Sequence, residues 1–200
     1  MRVAIAMGVL ELARKRKSIR KYSTTPIPLE DILYAIETAL QAPSGANRQP
    51  WRFIIIDDPD IKMEIRRIAE LWERKLHESK SIPEWFQKWL RDHGITWRKE
   101  FLTTAPYLIV VLADKRAPYS RESVWLAVGY LLLALEEKGL ASLTYTPTNP
   151  RAIASILGVP GHYTIETIIP VGLPGEYKVK EPRMSLDEAV YFNRWGSRRG

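Results

Sequence analysis

The chain has 200 residues, 46% of them hydrophobic, with seven Trp, nine Tyr and a net charge of +7. That is enough apolar material for one domain with a full core and too much for a disordered chain. With no cysteine, disulfides, thiolate nucleophiles and Cys-ligated metals are excluded, and the three His are scattered without metal-ligand spacing.

The elements follow in order. Met1 to Leu10 carries one Arg and a short apolar run but no cleavage-like site, so it reads as the lead into a helix rather than a signal peptide, with Met7 a candidate start. Gly8 to Arg16 reads as that helix, with Val9, Leu12 and Ala13 on one face. Arg16 to Tyr22 alternates and puts Arg16, Ser18 and Arg20 on one side of an extended segment. After a turn at Thr24 to Pro28, Leu29 to Gln41 has the apolar stripe of a helix (Ile32, Leu33, Ile36, Ala39, Leu40). The loop Ala42 to Pro50 leads to a strand, Trp51 to Ile56, so apolar that a central position is expected. Asp58-Pro59 is an N-cap with Pro at the first helical position, opening a helix that runs to about Ser79.

Ser81 to Gly94 carries Trp85, Phe86 and Trp89 among charges and reads as either a lid or a packing arm. A short helix is expected at Ile95 to Thr103 and a strand at Tyr107 to Ala113. Glu122 to Lys138 reads as a buried helix ended by Gly139. A strand is expected at Ala141 to Tyr145, a short helix at Arg151 to Leu157 and a strand at Ile165 to Val171. Last, a capping box from Ser185 to Glu188 opens a helix to about Asn193. The order lacks strict strand–helix alternation, so the expected fold is α+β, one domain with a mostly antiparallel sheet flanked by helices. The longest apolar stretch, Val124 to Leu135, is too short to span a bilayer, and a cytoplasmic protein is the default expectation.

Two segments carry chemistry. Arg16-Lys17-Ser18-Ile19-Arg20 offers guanidinium groups, which bind phosphate through paired charge-assisted hydrogen bonds, and a hydroxyl donor. The same residues suit an ordinary basic helix end. Pro43 to Pro50 is stiffened by two prolines, lets the backbone approach closely at Gly45 and offers Ser44, Asn47 and Gln49 as hydrogen-bonding groups. It suits a ribityl chain and the polar edge of a flavin, and equally a plain helix-to-strand connection. The basic charge elsewhere is interleaved with acids, as in Glu64-Ile65-Arg66-Arg67, and no nucleic-acid-binding motif accompanies it, so nucleic acid is not an expected partner.

Arg-x-Ser-x-Arg, a helix, then Ala-Pro-Ser-Gly-x-Asn-x-x-Pro-Trp and an apolar strand resembles the FMN-dependent nitroreductase superfamily, and the likeness runs from about Gly8 to Trp195. Within it the chain looks most like the iodotyrosine deiodinase branch. Asp58-Pro59-Asp60-Ile61-Lys62, Trp97-Arg98-Lys99-Glu100-Phe101-Leu102 before Thr104-Ala105-Pro106, and Thr144-Tyr145-Thr146-Pro147-Thr148-Asn149 carry that likeness. The resemblance implies a nitroreductase-like fold and an intertwined homodimer with FMN at the subunit interface. It implies that Arg16, Lys17, Ser18, Arg20 and Arg183 hold phosphate and ribityl, and that Pro43, Ser44 and Asn47 come from the partner subunit. Thr144, Tyr145 and Thr146 would flank the ring, with the Thr146 hydroxyl near flavin N5, where it favours one-electron chemistry. Ala46, Glu73, His77 and Lys99 would meet the substrate: a carboxylate for an ammonium and a lysine for a carboxylate. His77 stands where that branch has Tyr.

The implied activity is ping-pong reduction of an electron-poor aromatic substrate, with NADH or NADPH as reductant and reductive dehalogenation of a halotyrosine-like compound as its most specific form. A general nitro or quinone reductase and a non-catalytic flavin-binding protein remain alternatives.

Overall fold

Four antiparallel strands in the order β1-β2-β4-β3 form the centre of the protein in a computed structural model that describes residues 8–79 and 82–198. They are β1 (Trp51–Ile56), β2 (Tyr107–Asp114), β3 (Ala141–Ser142) and β4 (Tyr163–Gly172). The helices are α1 (Val9–Lys15), α2 (Leu29–Leu40), α3 (Pro59–His77), α4 (Glu84–Asp92), α5 (Phe101–Thr104), α6 (Ser120–Glu137), α7 (Pro150–Ile156) and α8 (Leu186–Ala189). Met7 and Ser81 lie outside the described residues.

The sheet is covered on both faces, which is why β2 is apolar at nearly every position. Its odd residues Ile109, Val111 and Ala113 pack with Ile32, Ala35, Val124 and Leu131 of α2 and α6. Its even residues Leu108, Val110 and Leu112 pack with Ile65 and Ala69 of α3, Leu102 of α5 and Ile153 of α7. A register shift between Val111 and Leu112 marks a bulge against β4. The arrangement is α+β, as the element order implies.

Four expectations are corrected. The strand Trp51–Ile56 is an edge strand, paired only with β2 among the described residues. Its apolar side chains are half-covered by helices rather than enclosed by strands, and Arg52 faces outward. No helix runs through Ile95 to Lys99. The Thr96 hydroxyl accepts from the Arg98 N–H, and Lys99 N–H donates to Glu70 Oε1 at 2.8 Å, so side chains take the bonds a helix would use and only the turn α5 remains. The strand expected at Ala141 to Tyr145 stops at Ser142, and Tyr145 rejoins β4 through an isolated bridge to Ile168. The Ser185–Glu188 capping box forms both its hydrogen bonds, yet α8 ends at Ala189 because none of its residues is buried and Val190 is extended.

The segment after α1 is sewn onto the β3 edge. Ser18 bridges Ser142, Ile19 N–H donates to the Ser142 carbonyl at 3.1 Å, and Ile19 is buried, as the alternation predicts. Ser23 and Lys21 pair with Leu173 and Gly175 of the outgoing chain. A Cβ at Gly175 would lie 2.8 Å from the Tyr22 backbone, so this crossing requires glycine. Among the described residues no helix is long and apolar enough to cross a membrane.

Candidate flavin and substrate site

α3 begins as its sequence predicts. Asp58 caps it by accepting from Asp60 and Ile61 N–H, and buried Lys62 donates to the carbonyls of Ala105 and Pro106 at 3.1 and 3.0 Å. That tie fixes α3 against the turn into β2. The far end of α3 carries Glu73 and His77 on one face, one helical turn apart.

Glu73 and Lys99 meet. Lys99 Nζ lies 3.2 Å from Glu73 Oε2, and the residues are 5% and 7% exposed. They are therefore a buried ion pair, not helix surface. Burial lowers the Lys99 pKa, and the Glu73 carboxylate opposes that shift. Glu73 also accepts from the hydroxyls of Tyr145 at 3.1 Å and Thr148 at 2.8 Å. Burial, with Glu73 adding to it, pushes the Tyr145 phenol far up, so it stays protonated and can only donate to the carboxylate.

Arg20, Glu73, His77, Lys99, Thr144 and Thr146 line one cavity of about 660 Å³. Phe86 and Trp89 of α4 face it, whereas Trp85 is 71% exposed. Phe86 stacks on Trp89 at 5.9 Å, and Trp89 on His93 at 4.4 Å. Thr144 and Thr146 make no hydrogen bonds among the described residues, which leaves their hydroxyls available to a ligand. Tyr145 differs from its neighbours: its hydroxyl is committed to Glu73 and its backbone to Ile168, so its polar groups face the protein. Burial and then the nearby Lys99 lower the His77 pKa, so the imidazole is neutral at neutral pH.

A second group lies beyond the end of α1. Arg16, half-buried, has its pKa lowered by burial and then by Arg183. Lys180 has its pKa lowered by burial, then by Arg16 and Arg183, while its ammonium donates to the Ala13 carbonyl at the end of α1. Lys17 acts on both Lys180 and Glu136, the acid that the cluster faces. Arg16, Lys17, Lys180 and Arg183 therefore share one electrostatic neighbourhood, with Lys15 also acting on Glu136, and the Arg20 N–H is tied to Glu176 at 2.7 Å beside the cavity. Lys180 and Thr148 are the functional candidates missed by sequence reasoning. The cation-rich spacing of Lys178, Lys180 and Arg183 was the available signal for the first. Nothing local reveals the contact of Thr148 with Glu73.

Pro43, Ser44, Ala46 and Asn47 do not join the 660 Å³ cavity within one chain. Their loop is self-supporting: Ser44 Oγ accepts from Gln49 N–H, and the Gln49 amide donates to Asn47. Ala46, Asn47 and Gln49 all have left-handed backbones, a strained run typical of functional loops. Ala46 and Asn47 instead line a separate polar hollow of about 570 Å³ with Arg48, Arg52 and Arg116. No group of metal-ligating side chains forms among the described residues.

Comparison with known proteins gives a single answer. The model of the nitroreductase family matches residues 13–173. An iodotyrosine deiodinase from Thermotoga neapolitana is 49% identical over 173 residues, 86% of this chain and 92% of that one. One from Haliscomenobacter hydrossis is 39% identical over 88% of this chain and 83% of its own length. A crystal structure of oxidized iodotyrosine deiodinase bound to FMN and 3-iodo-L-tyrosine superposes with a TM-score of 0.87, at 45% identity, over 95% of this chain and 100% of that chain. The extent of these matches, together with the fold, makes the chain a member of the nitroreductase family.

Proposed function

We propose that the protein is an FMN-dependent oxidoreductase that removes iodide reductively from an iodotyrosine. The observation that carries this reading is the buried Glu73–Lys99 pair in the same cavity as the unengaged Thr146 hydroxyl. The relatives named iodotyrosine deiodinase, one of them holding FMN and 3-iodo-L-tyrosine, support it.

The residues suit the cofactor. Arg16, Lys17, Lys180 and Arg183 share one neighbourhood with the Glu136 carboxylate, an arrangement whose excess positive charge a phosphate dianion would relieve. Ser18 adds a hydroxyl and Arg20 a further cation toward the ribityl side. Thr144 and Thr146 would border the ring. Bound FMN supplies the redox chemistry, carrying two electrons from a reductant to the substrate. We assign the reductant role to NADH or NADPH.

The chain's own groups orient the substrate. Glu73 would take the ammonium and Lys99 the carboxylate of a substrate in the cavity that Phe86 and Trp89 also line. The Thr146 hydroxyl would be the donor offered to bound flavin at N5. Overall, the aryl iodide takes up two electrons and a proton and yields the arene and iodide. Residues 73–100 act as a lid on this scheme.

A homodimer completes the site, with Pro43, Ser44, Ala46 and Asn47 supplied by the partner subunit. This is supported by their absence from the single-chain cavity and by the exposed apolar C-terminal arm, where Leu186 is 79% and Trp195 89% exposed.

Anaerobic mixing of the chemically reduced, FMN-loaded protein with 3-iodotyrosine tests the reading. Return of the oxidised flavin spectrum with release of tyrosine and iodide is expected. Failure to reoxidise with iodotyrosine, alongside fast reoxidation by a nitroarene or quinone, would make the protein a general reductase.

A further inference from the structure

The Glu73 carboxylate is held unsymmetrically. Oε1 accepts from two hydroxyls, Tyr145 at 3.1 Å and Thr148 at 2.8 Å. Oε2 faces Lys99 Nζ at 3.2 Å. Charge-assisted contacts usually run about 2.7–2.9 Å for N–H···O and about 2.5–2.7 Å for O–H···O, so the Lys99 and Tyr145 contacts are both long and Thr148 holds Glu73 most closely, while Oε2 has the ammonium as its one partner among the described residues. Lys99 is anchored independently of it, because its backbone N–H donates to Glu70 Oε1 and its ammonium to the Thr96 carbonyl, both at 2.8 Å.

Tyr145 is itself rigidly placed. Its backbone pairs both ways with Ile168, at 2.9 and 2.8 Å, and its carbonyl accepts from the Thr167 hydroxyl at 3.1 Å. Its ring packs edge-on against Phe101 at 5.5 Å. Tyr145 and Thr148 flank Thr146 and Pro147 in one loop, so two hydroxyls of the loop that borders the proposed ring position reach across to α3 and hold one oxygen of Glu73. The other oxygen is left for exchange.

We propose that Tyr145 and Thr148 are positioning residues that preset Glu73 for a zwitterionic α-amino acid, which enters between Glu73 and Lys99 and turns one ion pair into two. The proposal rests on the iodotyrosine reading above. Charge conservation favours it. The ion pair and the zwitterion are both neutral, so the exchange leaves the pocket neutral. A ligand with only a carboxylate or only an amine leaves a buried ion without a counter-charge. With Oε1 held, Glu73 stays in place when Lys99 turns to the incoming carboxylate, and the ammonium meets an oxygen already in register with the Thr146 loop.

Tyr145→Phe and Thr148→Val, each nearly isosteric, test this in the FMN-loaded protein. Two readouts are needed: the Kd for 3-iodo-L-tyrosine from flavin absorbance or fluorescence, and the rate of reoxidation by 1,4-benzoquinone, which carries no charge. Each variant is expected to raise the iodotyrosine Kd about tenfold, as for loss of a hydrogen bond to a charged group. For Thr148→Val the quinone rate should stay within about twofold, and in both variants the iodotyrosine Kd should rise by more than the quinone rate falls, since substrate binding is what is lost. Equal losses with iodotyrosine and quinone would reveal a merely structural role and overturn the proposal, as would an unchanged Kd in both variants. If the wild-type protein binds no iodotyrosine at all, the functional reading falls first and takes the positioning role with it.

Discussion

Lys99 and Glu73, 26 positions apart in the chain, both line the cavity and form a buried ion pair, with Nζ 3.2 Å from Oε2. The pair makes two demands at once. Each charge needs the other to stay buried in the free protein, and both must be available to a charged ligand.

The first demand predicts a stability signature. Lys99→Met strands a buried carboxylate and Glu73→Gln a buried ammonium, so each single change is expected to cost about 3–5 kcal/mol, less wherever water or the Tyr145 and Thr148 hydroxyls compensate. The double variant Glu73→Gln/Lys99→Met should cost clearly less than the two singles added together. Denaturant unfolding of all four proteins measures the coupling, and additive losses would mean that the two charges do not depend on each other.

His77 sets a pH dependence. Its folded pKa lies below the ordinary value of 6.5, through burial first and Lys99 second. Between the two values the unfolded chain binds more protons than the folded one, so this residue's contribution to stability rises with pH and is lost as pH falls below about 6.5. Relative to His77→Asn, the wild-type Tm should drop more steeply from pH 7.5 to pH 5. Parallel Tm curves would show that the imidazole is not held neutral.

The cation cluster predicts a ligand-dependent gain. FMN at about 100 times its Kd should add about 2.7 kcal/mol of stability by mass action, several degrees in Tm, and relief of the repulsion among Arg16, Lys180 and Arg183 should show in the Kd itself. Lys180→Gln should weaken FMN binding and reduce its salt dependence. An unchanged Kd in that variant would separate Lys180 from the phosphate site.

Gly45 seats the loop proposed to serve the partner's cofactor. A Cβ there would stand 2.9 Å from the Tyr119 ring and 3.1 Å from the Pro118 carbonyl. The ring can turn aside but the carbonyl cannot, so Gly45→Val should displace Ser44 to Asn47 and lower FMN retention about tenfold with a normal far-UV spectrum. Retention of FMN at wild-type affinity would mean that this loop does not touch the cofactor.

Much of this was legible along the chain. Asp58 with Pro59 starts a helix and Gly139 stops one where expected, because capping is decided by residues within one turn. The unbroken apolar run of β2 fits its place between two helical layers, although the central position was expected of Trp51 to Ile56. Less was legible in the 95–99 segment, where Thr96 and Glu70 draw the backbone out of a helix, and in β1, whose apolar character reflects helices above and below it rather than flanking strands.

The sequence by itself determined most of the elements, the family pattern and the residue types of the site, since periodicity, capping and short motifs depend on neighbours in the chain. Only the tertiary structure decided that Glu73 and Lys99 are buried together, that Tyr145 serves Glu73 rather than standing free beside Thr144 and Thr146, and that Lys180 joins Arg16 and Arg183. Those are contacts between segments far apart in the chain. A carboxylate on an otherwise charged helix looks like solvated surface until the fold lays a lysine and two hydroxyls against it, because burial and partnership are properties of packing and not of local sequence.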